Sequence, residues 1–97
     1  MKAAEQGDAS ALNNLGCMYL VGDGVGESNE KAFKLFHKSA EIGNDCSQYN
    51  VGLMIHEGVG TMTNKGEVLK WICLAAEQGH EEALTKLKII LKDESQS

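Results

Sequence analysis

Three versions of one pentapeptide stand at 36-residue steps along the chain: Ala3-Ala4-Glu5-Gln6-Gly7, Ser39-Ala40-Glu41-Ile42-Gly43 and Ala75-Ala76-Glu77-Gln78-Gly79. Other positions keep the same step. Asn14-Leu15-Gly16 matches Asn50-Val51-Gly52, Met18 matches Met54, Gly22 matches Gly58 and Gly24 matches Gly60. Self-similarity at a fixed period of about 20–50 residues is the mark of a repeat array. The composition says what the repeat is made of: nine Ala, ten Leu, no Pro and few aromatics favour helix. A unit of this length then holds two helices and two turns.

Each unit reads the same way. An A helix is predicted over about 9–21, 45–57 and 81–92, and a B helix over about 29–42 and 65–78. Residues 1–6 read as the last turns of a preceding B helix. Asp8, Asn44 and His80 occupy equivalent N-cap positions, the first two being favoured caps. Gly7, Gly43 and Gly79 stand where a left-handed residue would end each B helix. Ser28 caps the first B helix, and Asn64 with Glu67 forms a capping-box variant for the second. The A-to-B loops, Gly22-Asp23-Gly24-Val25-Gly26 and Gly58-Val59-Gly60, have the glycines that tight reversals need. They are not phosphate loops: no strand precedes them, and neither a third correctly spaced Gly nor a Lys-Ser/Thr pair follows.

A longer pattern runs through Ala11, Leu15, Gly16, Tyr19, Gly22, Gly24 and Val25, then Lys31, Ala32, Leu35, Phe36 and Lys38 to Gly43. It returns over 47–54 and 71–79. The chain thereby resembles the Sel-1-like repeat family, a relative of the tetratricopeptide repeat. The resemblance covers essentially the whole chain. It implies an all-α protein, an α/α solenoid forming a right-handed superhelix, with about two and a half repeats. The units are 8–43 and 44–79, then a C-terminal capping helix over 80–92 and a tail, 93–97. It also implies a protein-binding scaffold without catalysis or cofactor. The chain departs from the pattern at Ile55, Thr61, Glu67 and Val68, all changes that a helical core or surface accepts. The secreted, cysteine-rich branch of the family pairs cysteines eight residues apart. Here Lys38 and Glu81 stand where partners of Cys46 and Cys73 would be. A place in that branch, with its β-lactam-related activity, is not supported.

The A helices have two stripes at helical spacing. The core stripe is Ala11, Leu15 and Tyr19, then Ser47, Val51 and Ile55, then Ala83, Leu87 and Leu91. Gly16 and Gly52 flank it, where a missing side chain lets the B helix come close. Lys88 takes the equivalent place in the third unit, which marks a solvent-facing cap of the kind that solenoids need. By that reading the chain is a complete short protein; the alternative is a piece of a longer array, since it begins part-way through a repeat. The B helices present Ala32, Leu35, Phe36 and Ala40, then Val68, Trp71, Ile72, Ala75 and Ala76. Phe36 and Trp71 are read as core aromatics, with a surface anchor at Trp71 as the alternative.

The second A-helix stripe is the candidate partner-binding site. It comprises Asn13, Cys17 and Leu20, then Tyr49, Leu53, His56 and Glu57, then Glu82, Thr85 and Ile89, flanked by Ser10, Cys46 and Lys92. By analogy with tetratricopeptide repeats it lines the concave face, which such scaffolds use for binding. Tyr49 and Leu53 have two readings, packing between A helices or exposure in the groove.

Composition excludes other functions. A net charge of −5 with no Arg argues against nucleic acid. No run approaches the roughly 20 apolar residues of a membrane span. Three Cys without a CxxC pair fit buried thiols in a reducing compartment. With charge at the N-terminus, this places the chain in the cytoplasm, although a cleaved signal peptide would leave the same sequence. His37, His56 and His80 fall on different helices or helix ends, and the cysteines are not at ligand spacing, so no metal set is expected. His56-Glu57 lacks the second His of a zinc-protease motif. No nucleophile, base and oxyanion donor converge, so no enzyme is expected. The expected partner is a protein with a basic or mixed surface, bound by an adaptor or by a dedicated inhibitor of the immunity type. Weak self-association through the N-terminal end is a further expectation, because few repeats leave an end face open.

Overall fold

The computed structural model describes residues 3–22, 24, 26–58 and 64–96, and side chains within 7–93 of these. Five helices follow one another: α1 (Ala3–Val21), α2 (Asn29–Ile42), α3 (Asp45–Glu57), α4 (Lys65–Glu77) and α5 (Glu81–Gln96). Each packs on the next, and the stack measures 42 × 30 × 18 Å. This is an α/α solenoid in which α1–α2 and α3–α4 are the two repeats and α5 begins a third. Among the described residues there is no strand, and no helix is long and apolar enough to cross a membrane.

The turns are built as the residues predict. The Ser28 side chain accepts from the Lys31 amide at 3.2 Å, Asn44 from Ser47 at 2.8 Å and Asn64 from Glu67 at 3.2 Å. His80 does the same for α5, its Nδ1 accepting from the Ala83 amide at 3.1 Å. Each such cap contributes about 1 kcal/mol. Gly43 ends α2 at φ 118°, and Gly58 ends α3 at φ 70°. The Ser28 amide donates to the Tyr19 carbonyl at 2.8 Å and closes the first hairpin. Thr61, Val59 and Gly60 lie outside the described residues.

Four local readings need correction. Gly7 and Asp8 are neither helix stop nor cap, because α1 runs through both without a positive φ at Gly7. Among the described residues no helix packs in front of α1, so nothing draws the chain into a reversal there. The Asn64–Glu67 box is half made: the Glu67 carboxylate accepts from Trp71 Nε1 at 3.2 Å instead of turning back to the cap. Helix α5 continues through the expected tail as far as Gln96. Finally, Cys17 and Cys46 are exposed and Cys73 half-buried, where buried thiols were expected.

The core runs through both repeats: Ala32, Phe36, Ala40, Val51, Met54, Ile55, Val68, Trp71, Ile72, Ala75, Ala83 and Ile90. Phe36 and Trp71 are core aromatics as read from the sequence. The core stripe holds in the middle and fails at the ends. Ser47, Val51, Ile55 and Ala83 are buried, but Ala11 and Leu15 on α1 are exposed, as is Leu91 on α5. The reason is positional: among the described residues no helix packs before α1 and no B helix covers α5. On α5, Lys88 is in solvent as expected, and Leu84, Ile89 and Leu91 are exposed as well.

Two glycines set the distance between A and B helices. A Cβ on Gly16 would lie 2.8 Å from Phe36 Cε1, and one on Gly52 would lie 2.6 Å from Ile72 Cδ1. Polar contacts then fix the first junction between repeats. Ser39 donates to the Ala9 carbonyl (2.6 Å), Ser47 donates to Ser39 (2.6 Å), and the Asn13 amide closes on Ser47 (2.7 Å) and Asn50 (3.1 Å). Asn13 Oδ1 accepts from Asn50 Nδ2, and the single Ser47 hydroxyl proton lies within reach of both Asn13 Oδ1 and Ser39 Oγ. The next junction has Ala75 and Ala83 at the equivalent places, both fully buried, and is closed by apolar contact instead.

Gly52→Leu should therefore overpack the α3–α4 interface and lower unfolding free energy by about 1–3 kcal/mol. Lys88→Leu, the same side chain at the equivalent open position, should change it by no more than about 0.5 kcal/mol. Chemical denaturation of both variants checks this, and equal loss in the two would sink the assignment. All three cysteines are free, so denaturing alkylation without reductant should add three adducts to the intact mass. Fewer adducts would reveal a disulfide.

Candidate functional site

The second stripe of the A helices forms one face built from α1, α3 and α5. Cys17, Leu20, His56, Glu57, Glu82, Thr85 and Ile89 are exposed on it. Asn13, Tyr49 and Leu53 are half-buried. Tyr49 packs against the core and leaves an edge in solvent, and Leu53 is half-buried beside it. The Asn13 amide oxygen is committed to the junction, accepting from Ser47 and Asn50. Thr85 donates back to the Glu81 carbonyl at 3.1 Å.

The stripe divides into two neighbouring depressions. Leu20, Phe36, Asn50, Leu53, Met54 and Glu57 line one, at the C-terminal ends of α1 and α3. Tyr49, Glu81, Glu82, Thr85, Lys86 and Ile89 line the other, between α3 and α5. Each sets apolar side chains beside acidic ones, and Lys86 also lines the second. That acid is felt locally. Partial burial, then Glu82 and Glu57, push the Tyr49 phenol above its ordinary range. Partial burial again leads in raising the Cys46 thiol, followed by Asp45, Glu82 and Cys17. Cys46 is thus held as a thiol rather than an activated thiolate, and so is poorly suited to nucleophilic attack.

The sequence missed one grouping. His80 lies against Tyr49, with ring centroids 4.8 Å apart and planes 33° apart. Its ring, the Asp45 carboxylate and the Cys46 sulfur bring ligand atoms within 4.8 Å of one another. The sequence spacing kept His80 apart from the cysteines, and the structure brings it to Cys46. The available signal was the 36-residue period itself: Asn44 and His80 are equivalent, so His80 sits one repeat above the start of α3. On the opposite side, His37, Glu41, Gln48, Glu67, Lys70 and Trp71 border a third depression between α2 and α4. His37 meets the Trp71 ring edge-on at 5.3 Å.

Comparison with known proteins agrees with this architecture. A solved Sel1 repeat protein from Oxalobacter formigenes is 30% identical and superposes with a TM-score of 0.82, over 88% of this chain and 65% of that one. An Escherichia coli protective antigen, c5321, displaying an SLR fold, is 42% identical with a TM-score of 0.76, over 84% of this chain and 17% of that one. Among curated proteins, Chitin synthase regulatory factor 3 of Schizosaccharomyces pombe is 35% identical over 90% of this chain. DAP3-binding cell death enhancer 1 of Rattus norvegicus is 29% identical over 97% of it. The chain spans only 10% and 18% of the length of these two relatives. Repeats of this kind generally mediate protein–protein contacts, and their fold is typically a non-catalytic scaffold. Residues 9–44 and 47–80 each match the Sel1 repeat model, and the chain belongs to the Sel1 repeat family.

Proposed function

We propose that this chain binds a protein partner across the A-helix face, as an adaptor or blocking module without catalysis. The observation that carries this reading is the pair of adjacent depressions on that face. Leu20 and Leu53 stand beside Glu57 in one, and Tyr49 and Ile89 stand beside Glu82 in the other. Apolar centres with charged rims are the anatomy of a protein interface. Half-buried Tyr49 is the natural anchor, because its ring is already held against His80 and loses little freedom on binding. The acidic rims, in a chain of net charge −5, select a basic or mixed surface and speed encounter with it. The rat relative is named as a DAP3-binding protein, which supports protein binding as the general role. A dedicated inhibitor is the form of this reading favoured by Glu57 and Glu82 together, since a basic enzyme suits both rims.

The test is affinity capture with the wild type and face-specific variants, followed by binding kinetics on whatever the wild type retains. Tyr49→Ala should cost about 2 kcal/mol or more of binding, mainly through faster dissociation. Glu57→Lys and Glu82→Lys should chiefly slow association and flatten its salt dependence. Melting curves should show the charge reversals folded, as exposed changes shift stability by about 0.5 kcal/mol at most. Lys70→Glu, on the opposite face, should bind as the wild type does. Loss of binding in Lys70→Glu with all three A-face variants intact would place the interface on the wrong side.

A further inference from the structure

We propose that Asp45, Cys46 and His80 form a binding site for a zinc-class divalent cation. The three come from consecutive repeats: Asp45 and Cys46 open α3, and His80 caps α5. Their ligand atoms all lie within 4.8 Å of one another. Ligands bound to a tetrahedral zinc sit about 2.0–2.3 Å from the ion, so small side-chain rotations bring all three onto one centre. The donor set is one carboxylate oxygen, one sulfur and one imidazole nitrogen. Magnesium and calcium take oxygen ligands, whereas this mixture suits zinc or cobalt, with water in the fourth position.

The charge balance also fits. Thiolate and carboxylate together neutralise a divalent ion, so the N-termini of α3 and α5 do not face a net positive charge. Exposed Glu82 adds to the attraction. The Tyr49 ring keeps the imidazole in place from one side. Ligation by either ring nitrogen gives up the bond from the Ala83 amide: the ion takes the Nδ1 lone pair directly, or it takes Nε2 and the ring proton moves to Nδ1. Only the Cys46 proton leaves the protein. The grouping is particular to this junction. One repeat earlier the same three places hold Ala9, Ser10 and Asn44, which offer no thiol and no imidazole.

Cobalt(II) titration of the untagged, reduced chain tests the site, because sulfur ligation gives a thiolate-to-cobalt charge-transfer band in the near ultraviolet. The wild type should develop that band, with the visible bands of four-coordinate cobalt, saturating at about one equivalent and lost on adding zinc. Cys46→Ser should lose the charge-transfer band. His80→Asn should weaken binding by about tenfold or more. It keeps a favoured cap, as Asn44 shows at the equivalent place, so its melting temperature should hold. Cys17→Ser should titrate as the wild type does. The site is overturned if the wild type shows no such band, if Cys46→Ser keeps it, if Cys17→Ser loses it, or if His80→Asn binds cobalt unchanged.

Discussion

The closeness of A and B helices at Gly16 and Gly52 is the constraint on which the stack depends. Phe36 and Ile72 lie where any Cβ at those glycines would be. Within each repeat, the large side chain of one helix fills the gap left by the other, which is how a two-helix unit buries Phe36 and Ile72 almost completely. Glycine within a helix costs roughly 1 kcal/mol of propensity, and here the gained packing offsets that cost. The third unit confirms the logic by its exception. Lys88 stands at the same register, no B helix among the described residues lies over it, and its neighbours Leu84 and Leu91 are exposed.

Once A and B helices are locked together, repeats are joined to each other by two unlike junctions. The first is a hydrogen-bonded cluster in which Ser39 donates to the Ala9 carbonyl and Ser47 donates towards Ser39 and the Asn13 amide oxygen. The second is apolar, with Ala75 and Ala83 in the corresponding places. Polar junctions depend on geometry and orient strongly, because buried polar groups tolerate few alternative partners. Apolar ones tolerate small shifts. Gln78 adds polar tethers near the second junction, donating to the Gly43 carbonyl and the Gln48 side chain at 2.9 Å each. The relative placement of α1 and α3 is thus pinned by side-chain hydrogen bonds that α3 and α5 do not share.

That placement shapes the functional face. The stripe on these helices holds two depressions, with Tyr49 lining the one between α3 and α5 and Leu53, one turn further along α3, lining the one beside Leu20 of α1. The same packing brings the α5 cap down onto the start of α3. His80 then serves two roles in the structure: it caps a helix and presses against Tyr49. The meeting of Asp45, Cys46 and His80 follows from these two contacts.

The 36-residue period, the helix composition and the glycine, serine and asparagine punctuation were enough to determine the α/α solenoid, four of the five helix starts read from caps, and the close approach at Gly16 and Gly52. These are local or periodic properties, and each unit repeats the evidence. The stripe of candidate partner residues was legible for the same reason, since helical spacing fixes which residues share a face. What sequence could not decide depended on whether a neighbouring helix was present. Ala11, Leu15 and Leu91 have core identities but no covering helix among the described residues, and Gly7 has the identity of a stop but lies inside α1. Nor could it decide that Asn13 would spend its amide on Ser47 and Asn50, or that His80 would reach Cys46 across 34 residues of chain. Periodicity gives the face on which a side chain stands; only the packing of one repeat on the next decides what that side chain meets.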